Sequence, residues 1–330
     1  LGHSRPEQNL FLCAILSLII SFFSAIQDIV IDAYRLSLLS ASNPSSKLLL
    51  GPGAAMESIG FRLGMLMSGS GTLYLASVFD WVTAYTFTAL TIIVGMIAFL
   101  IAFQPTTKNI NPNNNTAFSL KICWKSLLDQ AYFWPLVGFI MCFKIADTIL
   151  NSMSAPFLFE LGFTKLEYAQ VSKFFGISLM VVGGLIGGSV IQYLGLRQTV
   201  VLCALIQALS CLMFCILGWA GHDMRILILT IGVESLCSGL TSTAFIAYLS
   251  HFCKGSSYVG QFTLLYSLGS LSRVVISTLS GVFADLFNWT ALFFVASASC
   301  LPVIYFLLKV HQKNKNNLTP SKSRLSGKRL

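Results

Sequence analysis

The stretch FLCAILSLIISFFSAIQDIVIDAYR, running from Phe11 to Arg35, decides how this chain is read. At 1.5 Å per residue a helix of this length crosses the ~30 Å hydrocarbon core of a bilayer. Ser17, Ser21, Ser24, Asp28, Asp32 and Arg35 interrupt the apolar background at steps of 4, 3, 4, 4 and 3, which puts all six on one helical face. A carboxylate at the centre of hydrocarbon costs at least about 2.5–3.5 kcal/mol, so that face must meet protein or water. Asp32 and Arg35 also have the alternative of reaching the headgroups. Asp28 lies deeper.

The same pattern extends along the chain. Of its 330 residues 55% are hydrophobic and 10% charged, where soluble domains carry roughly 25% charged residues. That balance excludes a soluble enzyme, a secreted disulfide scaffold and a disordered chain. At ~20 apolar residues per crossing there is material for eight to ten spanning helices. Apolar runs predict nine, at 9–34, 53–78, 83–104, 132–158, 168–192, 198–220, 226–251, 258–284 and 288–309, with Trp81, Trp134, Trp219 and Trp289 near their ends. The fold class is all-α and polytopic.

The net charge of +9 is not that of a nucleic-acid binder, because seven Lys/Arg and no acid lie at 309–330, after the last apolar run. A cytoplasmic C-terminus places fourteen loop and tail cations inside and only Arg5, Lys165 and Arg225 outside. The N-terminus of the chain is then periplasmic and 310–330 a basic cytoplasmic tail. The nine cysteines form no CxxC pair and read as small apolar filler, with neither a disulfide nor a metal role expected. The chain begins at Leu1 within a short polar stretch, which points to a fragment.

Residues 105–130 stand apart as a polar, Asn-rich cytoplasmic linker in which Leu120, Trp124, Leu127 and Leu128 suit a short surface helix. It separates three predicted crossings (1–104) from six (131–309). Further polar faces lie within those six. Lys144, Asp147, Thr148, Asn151 and Ser154 share one face, with Lys144 and Asp147 close enough to neutralise each other. This pair is either structural or part of a site. Glu234, with Ser238 and Thr241 on its face, is a proton carrier or a neutral packing donor. Tyr266, Ser270, Arg273, Ser277 and Ser280 form another stripe, and Lys173 and Arg62 sit alone in apolar company. Arg keeps its proton and needs an anion or water, and Asp28 and Asp32 are the expected partners of Arg62. Four embedded acids (Asp28, Asp32, Asp147, Glu234) thus face four cations (Arg62, Lys144, Lys173, Arg273), a balance suited to a polar cavity. Gly60, Gly64, Gly69, Gly183, Gly184, Gly187 and Gly188 point to close helix approach.

SAIQDIVIDAYR (24–35), GFRLGMLMSG (60–69), FKIADTILNSMSAPFL (143–158), ESLCSGLTSTAFIAYL (234–249) and QFTLLYSLGSLSRVV (261–275) resemble, in order and spacing, blocks of the AmpG-type muropeptide permeases of the major facilitator superfamily. The resemblance covers nearly all of 10–305. It implies a major-facilitator helical bundle in which the nine helices are equivalent to helices 4 to 12 of twelve, nothing here corresponding to the first three. Residues 1–104 would be the second half of an N-terminal bundle and 131–309 a complete C-terminal one. By that likeness helices 4, 7 and 10 line a central cavity, which assigns Asp28, Lys144, Asp147 and Glu234 to its lining, with Arg62, Lys173 and Arg273 behind or between. GGSVIQYLGLRQ (187–198) is similar to the superfamily's loop between helices 8 and 9 but lacks its Asp-Arg pair.

The expected function is proton-coupled import of anhydromuropeptides across the bacterial inner membrane. Asp28, Asp32, Glu234 and Asp147 are the proton-coupling candidates, and Gln27, Arg62, Lys144, Asn151, Lys173 and Arg273 the substrate or cavity candidates. The proton gradient supplies the energy and no cofactor is expected. Three alternatives stay open: a major-facilitator carrier of another anionic solute such as a saccharide or peptide, a truncated non-transporting remnant, or a membrane partner protein; a separate chain could also supply the missing N-terminal helices. An enzyme is not expected, since there is no nucleophile–base pair, HExxH or phosphate loop.

Overall fold

The computed structural model describes residues 9–41, 46–101, 120–130, 132–253 and 258–318. Expectations for the Asn-rich linker before residue 120 and for the tail beyond 318 lie outside the described residues. Every regular element among the described residues is helical. Eight helices are long and apolar enough to cross a membrane: Leu10–Asp32, Trp81–Ile101, Phe133–Glu160, Leu166–Leu194, Leu196–Ala220, Met224–Phe252, Gly260–Leu286 and Trp289–Lys313. Each overlies one of the predicted crossings. The remaining one, 53–78, is helical but assembled from three pieces: α2 (Ser46–Met65), a π-helical turn (Leu66–Gly71) and α3 (Thr72–Val78). The cause is local. The turn reads LMSGSG, whose small residues add little side-chain packing to hold a regular ladder.

The chain divides into two compact units, Leu1–Leu49 with Met56–Asn115, and Leu50–Ala55 with Thr116–Leu330. In the first, α1 (Leu10–Ala41) has no buried residue along Leu10–Asp32. The π-turn and α3 pack on α4 (Trp81–Ile101), where the hydroxyls of Thr72 and Thr88 meet at 2.8 Å.

The second unit is a bundle around α6 (Phe133–Glu160), preceded by the short α5 (Leu120–Leu128). A four-residue helix α7 (Lys165–Tyr168) and a second π-helical turn (Ala169–Gly176) lead into α8 (Ile177–Leu194). Then come α9 (Leu196–Ala220), α10 (Met224–Phe252), α11 (Tyr258–Leu286), α12 (Trp289–Ala298) and α13 (Cys300–Leu318). The last crossing is broken at Ser299 because Pro302 has no N–H for the carbonyl one turn earlier.

Between membrane helices there is little hydrophobic drive, so close van der Waals contact has to hold them. Gly183 on α8 and Gly239 on α10 supply it: a Cβ on Gly183 would collide with the carbonyl of Leu236, and one on Gly239 with that of Met180. Gly60 and Gly64, expected to act alike, have nothing near enough among the described residues to require their small size. At the bundle centre Phe157 (α6), Phe214 (α9) and Phe293 (α12) interlock, Phe157 meeting Phe293 edge-on at 4.9 Å. None of the eight cysteines with described side chains is in a disulfide, and four of them are buried in the midst of α9 and α10.

Candidate functional site

Each unit carries its own group of polar side chains. In the first, α1 presents Arg35 at its polar face and α2 presents Glu57. Arg35 Nη2 lies 3.4 Å from Asp32 Oδ1 and Arg35 Nε lies 2.7 Å from Glu57 Oε2. The three side chains are 11%, 17% and 21% exposed, largely withdrawn from the surface. The 32–35 pair is one helical turn and follows from spacing alone. Glu57 comes from another helix, α2. Gln27 and Asp28, one turn earlier on α1, are exposed. Arg62 is buried on α2 at 8% exposure. Arg35 engages Asp32 and takes a second carboxylate, Glu57, besides.

In the second unit the polar face of α6 is buried against α10. Lys144 Nζ sits 3.7 Å from Asp147 Oδ2, with the two residues 6% and 8% exposed. The other oxygen, Oδ1, accepts from Asn151 Nδ2 at 3.1 Å and from Ser238 Oγ of α10 at 3.0 Å. Asn151 also donates to the Asp147 carbonyl at 2.7 Å. Lys144 lies 4.6 Å above the Phe245 ring, so its ammonium is held by a carboxylate and by a π face together. Both carboxylate oxygens of Asp147 thus face donors. Thr148, on the same face, is buried with no hydrogen-bond partner for its hydroxyl.

Glu234 is also buried, at 9% exposure, and its Oε2 accepts from the neighbouring Ser235 hydroxyl at 3.2 Å. The helical face that sequence assigned to it is divided among other partners. Ser238 serves Asp147, and Thr241 donates to Gln207 Oε1 on α9 at 3.3 Å. The Arg273 stripe is divided too. Ser280 packs toward α6, meeting Ser152 at 3.4 Å, and Ser272, which is not on that stripe, donates to the Met141 carbonyl at 3.1 Å. Arg273 and Ser270 are exposed. Lys173 falls in the π-turn at 169–176, and its side chain lies outside the described residues. Among the described residues no cluster of His, Cys, Asp and Glu has the makings of a metal site.

The structure thus joins Lys144, Asp147 and Asn151 through contacts, and adds Ser238, which sequence had placed beside Glu234. It joins Asp32 to Arg35 and adds Glu57. Neither addition carried a local signal, since each depends on a partner on a different helix.

The sequence matches the model of the Major Facilitator Superfamily over residues 4–270 and again over 148–330. It is 34% identical over 325 residues to the AmpG 3 protein of Rickettsia prowazekii, whose name calls it a transporter; the match spans 96% of this chain and 76% of that one. The AmpG 1 protein of Rickettsia conorii is 30% identical, with 93% and 76% covered. The anhydromuropeptide permease of Escherichia coli K12 is 29% identical over 314 residues, 94% of this chain and 62% of the permease. With apolar helices of spanning length and these relatives, the chain is a multi-pass membrane protein that belongs to the major facilitator superfamily, in its AmpG-type transporter group.

Proposed function

We propose that this chain takes part in proton-coupled import of anhydromuropeptides from periplasm to cytoplasm across a bacterial inner membrane. The observation that carries this reading is the identity, along 94% of the chain, with a protein named for permeation of that substrate. The charge pattern supports it. Anhydromuropeptides bear lactyl and peptide carboxylates, and Lys144, Lys173, Arg273 and Arg62 are the cations available to them, with Gln27 and Asn151 as neutral hydrogen-bonding groups. Asp28, Asp32 and Glu234 are the proton-coupling residues. Asp147, whose two oxygens are already engaged, takes the role of holding Lys144 in place. Coupling arises because a proton on a carboxylate changes the relative free energy of the carrier's two access states.

On this reading residues 1–104 correspond to helices 4 to 6 of the family's twelve, 105–130 to the cytoplasmic linker, 131–309 to the C-terminal bundle and 310–330 to the cytoplasmic tail. The chain needs no cofactor beyond the gradient and performs no covalent chemistry.

The test is uptake of labelled anhydromuropeptide by right-side-out membrane vesicles containing the chain. Accumulation should require an inward proton gradient and collapse with a protonophore, and Asp28→Asn should abolish it. Accumulation that ignores the protonophore overturns the coupling. Competition by unrelated oligosaccharides as effective as by unlabelled muropeptide overturns the choice of substrate.

A further inference from the structure

We propose that Glu57 is a proton-binding residue of the coupling machinery, and that its protonation releases a clasp between α1 and α2. The inference rests on the proton-coupled reading above and adds to it a residue that the sequence pattern does not mark.

Of the two contacts of Arg35, one can change as the helices move. Asp32 and Arg35 are three residues apart on one helix, so their 3.4 Å pairing accompanies α1 wherever it moves. The 2.7 Å pairing of Arg35 with Glu57 is different, because it spans two helices and lasts only while they keep this position. It is the shorter of the two contacts, and Glu57 is 79% withdrawn from the surface.

Charge is the second part. The acidic and guanidinium side chains described on these two helices are Asp28, Asp32 and Arg35 on α1, and Glu57 and Arg62 on α2. Among these five groups, three carboxylates against two guanidiniums leave one excess negative charge. Arg keeps its proton at any physiological pH, so the excess is removed by placing one proton on a carboxylate oxygen. Asp32 is the poorer choice, since its pairing with Arg35 is built into the helix. When Glu57 takes the proton, Arg35 and Asp32 remain as a neutral pair on α1, and the attraction joining α1 to α2 falls from an ion pair to a hydrogen bond. When the proton leaves, the clasp re-forms. One proton is gained and lost per cycle, and no other reactant is needed.

The experiment compares two modes of entry of labelled anhydromuropeptide, into empty vesicles for accumulation and into vesicles preloaded with unlabelled anhydromuropeptide for counterflow. Gradient-driven accumulation requires net proton movement, while counterflow exchange at equal pH on both sides does not. Glu57→Gln should lower accumulation at least tenfold while counterflow continues. Glu57→Asp, which keeps a titratable group at a shorter reach, should accumulate with a displaced pH dependence. Accumulation by Glu57→Gln at the wild-type level overturns the proposal. If Glu57→Gln loses both modes, Glu57→Asp decides: a pH profile superimposable on wild type makes Glu57 a structural residue and overturns the proposal, and a displaced one supports it. Wild-type counterflow without gradient-driven accumulation removes the proton-coupled reading itself, which is a different result from wild-type accumulation that Glu57→Gln reproduces.

Discussion

Lys144 and Asp147 show what a buried ion pair requires of its neighbours. Two charges less than a tenth exposed repay desolvation only when the remaining donors and acceptors are filled. Asn151, Ser238 and the Phe245 ring do that here. Removing one partner strands the other, and Asp147→Asn should destabilise the protein by about 3–5 kcal/mol. The double variant Lys144→Met with Asp147→Asn should recover most of that loss, because nothing charged is then left buried. Thermal unfolding of the two variants in detergent checks it, and equal melting temperatures for both would disprove the compensation. Arg273 is the opposite case. It is exposed, so Arg273→Gln should change stability by less than about 0.5 kcal/mol, while muropeptide uptake falls if its guanidinium meets a substrate carboxylate. Sequence spacing made the 144–147 pair visible, since both residues lie on one turn of one helix. It gave no hint of Ser238, which lies 91 residues away, and it assigned that serine to Glu234 because a face shared along one helix is all that spacing can report.

At the level of helices, a glycine's meaning depends on what lies opposite it. Seven membrane-depth glycines read alike in the sequence. In the structure Gly183 abuts the Leu236 backbone, whereas Gly60 and Gly64 meet nothing close among the described residues. Gly183→Ala should therefore force α8 and α10 apart, at a cost of at least about 1–3 kcal/mol for overpacking. Gly60→Ala should be neutral or stabilise by up to roughly 1 kcal/mol through helix propensity. Side-by-side melting curves measure the contrast, and similar losses for both would show that α2 has a close neighbour as well. The interruption at 66–71 belongs to this scale too. A continuous crossing was expected over 53–78, and the hydrophobic count there was adequate. Past Glu57 and Arg62 the local ladder opens into a π-turn at LMSGSG.

For the molecule as a whole, the expected orientation rests on cations alone. Fourteen on one side and three on the other should place the tail in the cytoplasm. A fluorescent protein fused after Leu330 should fold and fluoresce, and a cysteine placed in the tail should resist membrane-impermeant thiol reagents applied from the periplasmic side. Labelling of that cysteine in intact spheroplasts would reverse the assignment. Membrane residence and approximate helix limits were legible because bilayer thickness acts on every crossing through length and apolarity, both of which are sums over neighbouring residues. The partners of embedded charges were not. Whether Arg35 closes on Asp32 alone or also on Glu57, and whether Asp147 is shared by α6 and α10, depends on how helices distant in sequence are rotated and set side by side. That arrangement is decided by packing at points such as Gly183 against Leu236, which no single segment contains.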